Sequence, residues 1–109
     1  MGWKVFYFQT RSGHLPVREF IAKQDIKTQA RIRQSIVLLR DKGPFLKSPY
    51  VKKLRSGLSE LRIKSQISIR IFYSPKNNAY YLLHAFKKKS QQIPARELRT
   101  ALDRMKDLI

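Results

Sequence analysis

Cationic side chains recur at matching positions in three strand-like stretches of the chain: Arg62 in LSELRIK, Arg70 in ISIRIFY, and Lys87, Lys88 and Lys89 at the end of AYYLLHAFKKK. Side chains alternate between the two faces of a strand. If Leu61 and Ile63 share a core with Ile69 and Ile71, a three-residue turn or a bulge is needed near Ser65 to Ile67, and Arg62 and Arg70 become cross-strand neighbours on the opposite face. Like charges directly opposite destabilise a sheet, so this pairing predicts an anion there. A two-residue turn at Asn77-Asn78, both able to take positive φ, pairs Lys76 with Ala79. That register predicts Leu82, His84 and Phe86 on the core face with Ile71 and Tyr73. It puts Leu83, Ala85, Lys87 and Lys89 on the face of Arg70 and Phe72, with Lys88 at the rim. A one-residue slip would bring His84 onto the charged face instead.

Such a convergence of guanidinium and ammonium groups suits one kind of chemistry, the binding and electrostatic stabilisation of phosphate oxygens. The composition points the same way. Lys and Arg number 24 against 7 Asp and Glu, a formal net charge of +17 over 109 residues. A surplus of that size costs self-repulsion and signals a polyanionic partner such as nucleic acid or an acidic protein. With 42% apolar residues the chain is globular, not a disordered basic tail. Lys52, Lys53 and Lys64, with the basic side of the second helix, are candidates for phosphate contacts, and such contacts are strongly salt-dependent. Phe72 beside Arg70 has two readings, stacking on an unpaired base or packing beneath the C-terminal helix.

Other chemistries find little support. Cysteine is absent, which removes thiol nucleophiles and zinc-thiolate sites and suits a reducing cytosol. Glu60 is the only acid on the predicted strands, and the remaining carboxylates are scattered over helical segments, so no metal site is expected. No glycine-rich phosphate loop, no Ser-His-Asp set and no cofactor motif appears. The start, MGWKVFYFQT, does not read as a signal peptide, and no apolar run approaches membrane-spanning length.

The elements that must position these cations follow from periodicity. WKVFYFQT reads as a first strand, ended by RSGH. Pro16 opens a short helix with Val17, Phe20 and Ile21 on one stripe. Asp25 is an N-cap for a second helix bearing Ile32, Ile36 and Leu39, which Gly43 and Pro44 stop. Strands follow, and after Pro94 a last helix carries Leu98, Ala101, Leu102, Met105 and Ile109 on one face. The expected fold is α+β, in the order β-α-α-β-β-β-α or with a fourth strand there if YVKKL is counted. It is a single domain over 1–109, with an antiparallel-rich sheet and the helical hairpin and C-terminal helix packed on one side of it.

VKKLRSGLSELRIK, IRIFY, LLHAFKKKSQQIP and ARELRTALDRMKDLI together resemble the RelE/ParE toxin superfamily, in its HigB-like, phage Gp49-like branch. The shared pattern is a Gly-Leu-x-Glu-Leu-Arg strand, an Arg-x-x-x-Tyr strand, a Leu-His-x-Phe-x-Lys-Lys strand end and a proline-started helix. It covers nearly the whole chain in order. The resemblance implies a toxin of a type II toxin–antitoxin system that cuts mRNA in the ribosomal A site without a cofactor. Its implied partners are the ribosome and a cognate antitoxin, a helix-turn-helix protein encoded nearby through which alone operator DNA would be met. No membrane partner is implied, and the cytoplasm is the implied location.

Carried over residue by residue, the family's strand arginine falls on Arg62, the basic residues before it on Lys52 and Lys53, and the strand-end basic residues on Lys87 and Lys88. Metal-free RNA cleavage has the ribose 2′-OH attack the adjacent phosphate. Arg62 is then the candidate phosphate clamp, since a planar guanidinium can bind two oxygens. Lys87 or Lys88 would offset charge on the leaving 5′ oxygen or transfer a proton. Lys52, Lys53, Lys64, Arg70 and Lys89 would bind RNA. His84, placed with the core by parity, is a packing residue first and a catalytic base only secondarily. Some relatives have a tyrosine near the start of the last helix, where this chain has SQQIP. Two other functions remain open, a ParE-like toxin that inhibits gyrase by binding and a non-catalytic RNA-binding module.

Overall fold

A computed structural model describes residues 2–108; Ile109, predicted at the end of the last helical stripe, lies outside them. The elements run β1 (Lys4–Tyr7), α1 (Pro16–Ala22), α2 (Ile26–Lys42), a 3-10 turn (Gly43–Phe45), β2 (Val51–Arg55), β3 (Leu58–Ile63), β4 (Ile69–Lys76), β5 (Ala79–Lys87) and α3 (Ala95–Lys106). The five strands form one sheet in the order β1-β5-β4-β3-β2. β1 runs parallel to β5 and the other neighbours are antiparallel. The α+β class therefore holds, with YVKKL supplying the additional strand β2. Among the described residues no helix is long and apolar enough to cross a membrane.

Local chemistry sets the ends of these elements. Pro16 occupies the first turn of α1, where its missing N–H would have had no intrahelical partner. The Asp25 side chain accepts the Thr28 N–H at 2.7 Å and caps α2. That bond is also the main cause holding the Asp25 carboxyl below the usual aspartate range. Gly43 ends α2 at φ 54°, and a Cβ there would lie 2.6 Å from the Trp3 ring. Trp3 in turn donates its backbone N–H to Arg40 O at 2.7 Å and stacks on Tyr80, which anchors β1 at that end. The β4–β5 turn is closed by Asn77 and Asn78 at φ 52° and 62°, with Lys76 opposite Ala79 as expected.

Both faces of the sheet are covered. On one, α1 and α2 bury Val17, Ile21, Ile32 and Leu39 against Leu61, Ile63, Ile69 and Ile71. On the other, α3 brings Ala101, with Leu98, Leu102 and Met105, onto Leu58, Phe72, Leu83 and Phe86. The expected one-sided packing is thus corrected: α3 lies across the sheet from the hairpin. The cause is in β4 and β5, where residues of both parities are apolar, so the two strands need a cover on each side. Phe72 is fully buried beneath α3, which settles its role as packing.

One irregularity decides which side chains share a face. Between β4 and β5 the register steps from Phe72↔His84 to Tyr73↔Leu82, leaving Leu83 as an extra residue on β5. This is a β-bulge, which reverses the facing of everything beyond it. Leu82 and Ala85 remain with the α1–α2 core, whereas Leu83 and Phe86 lie under α3.

Candidate functional site

Arg62 and Arg70 are direct cross-strand partners, as their parity predicts. An anion does lie between them, and it belongs to the protein. Glu60, one step back on the same face of β3, has a side chain only 1% exposed. Its Oε1 accepts from Arg62 Nε at 3.0 Å, and its Oε2 lies 3.6 Å from Arg70 Nε. Those last two atoms are the buried side-chain polar atoms left without a hydrogen-bond partner among the described residues, and they face one another. A carboxylate removed from water is costly unless paired. Two guanidiniums on one strand pair supply that pairing, and the carboxylate offsets their mutual repulsion.

The two arginines are not equivalent. Arg70 is 13% exposed, and burial is the main cause pulling its guanidinium below the ordinary range, opposed by Glu60 and reinforced by Arg62. Arg62 is 28% exposed. Its Nε is held by Glu60, leaving its Nη groups as donors available to a ligand. The cross-strand row Lys52–Glu60–Phe72–His84 is followed on the same face by Arg62–Arg70–Phe86. Lys88 follows Lys87 at the end of β5, and its backbone N–H donates to Ser68 O at 2.8 Å. Continuing the alternation from Phe86 puts Lys88 on this arginine face too.

The bulge reverses the lysine assignments. Lys87 pairs with Ile69, whose side chain lies in the α1–α2 core, so Lys87 is on the opposite face from Arg62 and Arg70. There its charge contributes, as the smallest cause, to lowering the pKa of Asp25 at the start of α2. Lys88, expected at the rim, is the lysine on the arginine face. Lys89 is exposed beyond the strand end. Lys53 partners Ser59 and lines a cleft of about 430 Å³ with Trp3, Tyr73 and Tyr80, away from the arginine pair. Lys64 follows the end of β3, where its carbonyl accepts from Arg31 Nη1 at 3.3 Å. The fold therefore brings together Lys52, Arg62, Arg70 and Lys88, keeps Lys64 adjacent, and sends Lys53 and Lys87 elsewhere.

His84 is moved in the other sense. Expected in the core beside Ile71, it lies opposite Phe72 on the α3 side, 17% exposed. Its Nδ1 lies 3.2 Å from Arg104 Nη1, which also donates to Leu83 O at 2.9 Å. Arginine has no acceptor, so Nδ1 carries the lone pair, and Nε2–H donates to Glu97 Oε1 at 2.7 Å. Burial holds the His84 pKa below its ordinary value, against the opposing pull of Glu97. The ring is stacked on Phe86 at 5.8 Å. Both nitrogens are thus engaged in tying α3 to the bulge. Burial also pushes the Tyr73 hydroxyl up to about 12, and it sits on the α1–α2 side.

Glu60 was legible as the only acid on the strands, and its parity matches Arg62. Its burial as their counter-charge was not. Glu97 and Arg104 gave no signal beyond lying on the polar side of a helix. Among the described residues no group of three or more His, Asp or Glu side chains is gathered as a metal site would need.

No curated protein matches the chain. A family model described as Phage derived protein Gp49-like (DUF891) matches residues 19–106, a span that contains the whole arginine face and the His84–Glu97–Arg104 cluster. The chain belongs to this family, the Gp49/HigB-like branch of the RelE/ParE superfamily, and the membership points to a toxin of the toxin–antitoxin type.

Proposed function

We propose that the chain is the toxin of a type II toxin–antitoxin system and acts as a metal-independent endoribonuclease on mRNA in the ribosomal A site. The observation that carries this reading is the partly exposed Arg62, locked through Nε to a buried carboxylate and flanked on one face by Lys52, Arg70 and Lys88. A phosphate passing through attack by the 2′-OH gains charge on its non-bridging oxygens. Donors already fixed in place stabilise that charge without reorganising. In this mechanism the Nη groups of Arg62 hold two phosphate oxygens, and Lys88 neutralises the leaving 5′ oxygen. Lys52, across the strand pair from Glu60, is the second ammonium in reach of the same face. Arg70 acts mainly as the partner that completes the neutralisation of Glu60. His84 supports the site by fixing α3. Lys53, Lys64, Lys87 and Lys89 then serve RNA binding, the electrostatic part of which weakens steeply with salt.

The partners under this reading are mRNA, the ribosome and a cognate helix-turn-helix antitoxin encoded beside the toxin, with operator DNA reached through the antitoxin. The cytoplasm is where those partners meet. The decisive experiment induces the protein in bacteria and maps mRNA 5′ ends. Codon-phased cuts that disappear in Arg62→Ala are the expected result. Intact mRNA accompanied by DNA damage would replace this reading with gyrase inhibition.

A further inference from the structure

Where α2 ends, the cavity of about 430 Å³ opens between the 3-10 turn and the α1–α2 side of the sheet, walled by Trp3, Pro44, Leu46, Val51, Tyr73 and Tyr80 among others. Its aromatic walls are fixed by one another. Trp3 stacks on Tyr80 with ring centroids 4.6 Å apart, and Tyr80 meets Tyr73 edge-on at 5.2 Å. Tyr73 and Tyr80 are each only 6% exposed. The polar side chains form one row across three strands, because Ser59 is the register partner of Lys53 on one side and of Tyr73 on the other. All three line the cavity, and no acidic side chain does. Lys53 makes no ion pair among the described residues. With its hydroxyl pushed up to about 12 by burial, Tyr73 keeps its proton at neutral pH and can donate it.

We infer that this cavity binds a small apolar carboxylate, its body against Trp3, Leu46, Val51 and Tyr80 and its carboxylate on the Lys53–Ser59–Tyr73 row. Apolar walls with a few convergent polar groups, at this volume, are the make-up of a small-ligand site. The row selects the charge of the ligand. A neutral molecule would leave the Lys53 ammonium unanswered, a cation would meet it as a like charge, and a carboxylate accepts from the ammonium and from both hydroxyls. The walls select the body, since a bare anion would leave the apolar surface of the cavity in contact with water. Rings already held in place by their neighbours lose little freedom when a ligand packs on them. The sheet separates this row from the Arg62–Arg70 pair, so the site does not rest on the cleavage chemistry proposed there.

The test uses the full chain and 3-phenylpropanoate, read by the emission of Trp3, the single tryptophan, and by backbone amide NMR. The comparison ligands are 3-phenylpropanamide, 3-phenylpropylamine and acetate, which remove the charge, reverse it and remove the apolar body. Amide shifts gathered around residues 43–46, 51–59 and 73–80 are expected, with the carboxylate bound about tenfold tighter than the amide, the order of one charged hydrogen-bonding partner. Acetate and the amine should bind more weakly still. Lys53→Met, which keeps the apolar stem, should bring the carboxylate down to the affinity of the amide, and Tyr73→Phe should weaken it about fivefold, as for one neutral hydrogen bond. Lys52→Met removes the same charge from the neighbouring residue on the opposite face of β2 and should leave this binding unchanged. Retained amide spectra establish that each variant is folded. Equal binding of carboxylate and amide, equal losses in Lys52→Met and Lys53→Met, or shifts spread over the surface instead of the cavity would overturn the inference. The toxin reading, tested by mRNA cleavage at the other face of the sheet, stands or falls separately.

Discussion

Glu60 and Arg62 stand two residues apart on one face of β3, the carboxylate buried and its Oε1 3.0 Å from Arg62 Nε. A buried acid inside a chain of formal charge +17 ties the stability of the sheet to the position of the residue proposed to bind phosphate. Breaking a buried pair by neutralising one partner leaves the other charge uncompensated. Glu60→Gln is therefore expected to destabilise the fold by about 3 kcal/mol, read from urea unfolding. The double variant Glu60→Leu, Arg70→Leu should lose less than Glu60→Gln alone, because the one charge then left without its partner is Arg62, which water reaches, and not the more deeply buried Arg70.

Arg62 is oriented through its Nε, a contact a lysine cannot reproduce while also presenting a fork of donors. Arg62→Ala is expected to reduce mRNA cleavage by about 100-fold or more, the scale of losing a donor that stabilises transition-state charge. Arg62→Lys should restore little of that activity. Primer extension on a defined transcript in a translation reaction measures both.

The bulge at Leu83 makes neighbouring lysines unequal. Lys88→Ala is expected to slow cleavage by roughly tenfold or more, as for loss of a group assisting at the leaving oxygen. Lys87→Ala, on the opposite face beside Ile69, should change the cleavage rate little and show chiefly as weaker RNA binding at raised salt. Equal losses in the two variants would contradict this division of roles.

His84 gives the fold a pH dependence of definite sign. Its pKa is lowered from 6.5, chiefly by burial, with Arg104 on one nitrogen and Glu97 on the other. Below pH 6.5 the unfolded chain takes up a proton that the folded chain refuses, so stability falls as pH drops through that value towards the lower folded pKa. The contribution is fully present above the unfolded pKa. Urea midpoints measured between pH 5 and 8 should show this decline, and His84→Gln should flatten it.

Much of the architecture could be read from local chemistry. Pro16 and Asp25 start their helices, Gly43 stops α2, and the Asn77-Asn78 turn fixes Lys76 opposite Ala79, each through interactions spanning a few residues. Parity also carried the pairing of Arg62 with Arg70, because alternation holds wherever a strand is regular. Glu60 was legible only as an acid of the same parity; that it is buried between the two arginines as their counter-charge depends on the packing of the folded sheet.

What the chain could not disclose from its order of residues is the extra residue at Leu83, and with it the facing of His84, Lys87 and Lys88. LLHAF alternates poorly in any register, so periodicity cannot say where a bulge falls. The choice is made by burial on two sides at once. Leu82 and Ala85 must reach the α1–α2 core while Leu83 and Phe86 reach α3. That competition exists only after α3 has crossed to the far face of the sheet, a consequence of β4 and β5 being apolar on both sides. The sequence by itself determined the elements, their caps and the paired arginines, whose causes are local. Only the tertiary structure decided which lysine joins them, because a bulge answers to the packing of helices distant in the chain.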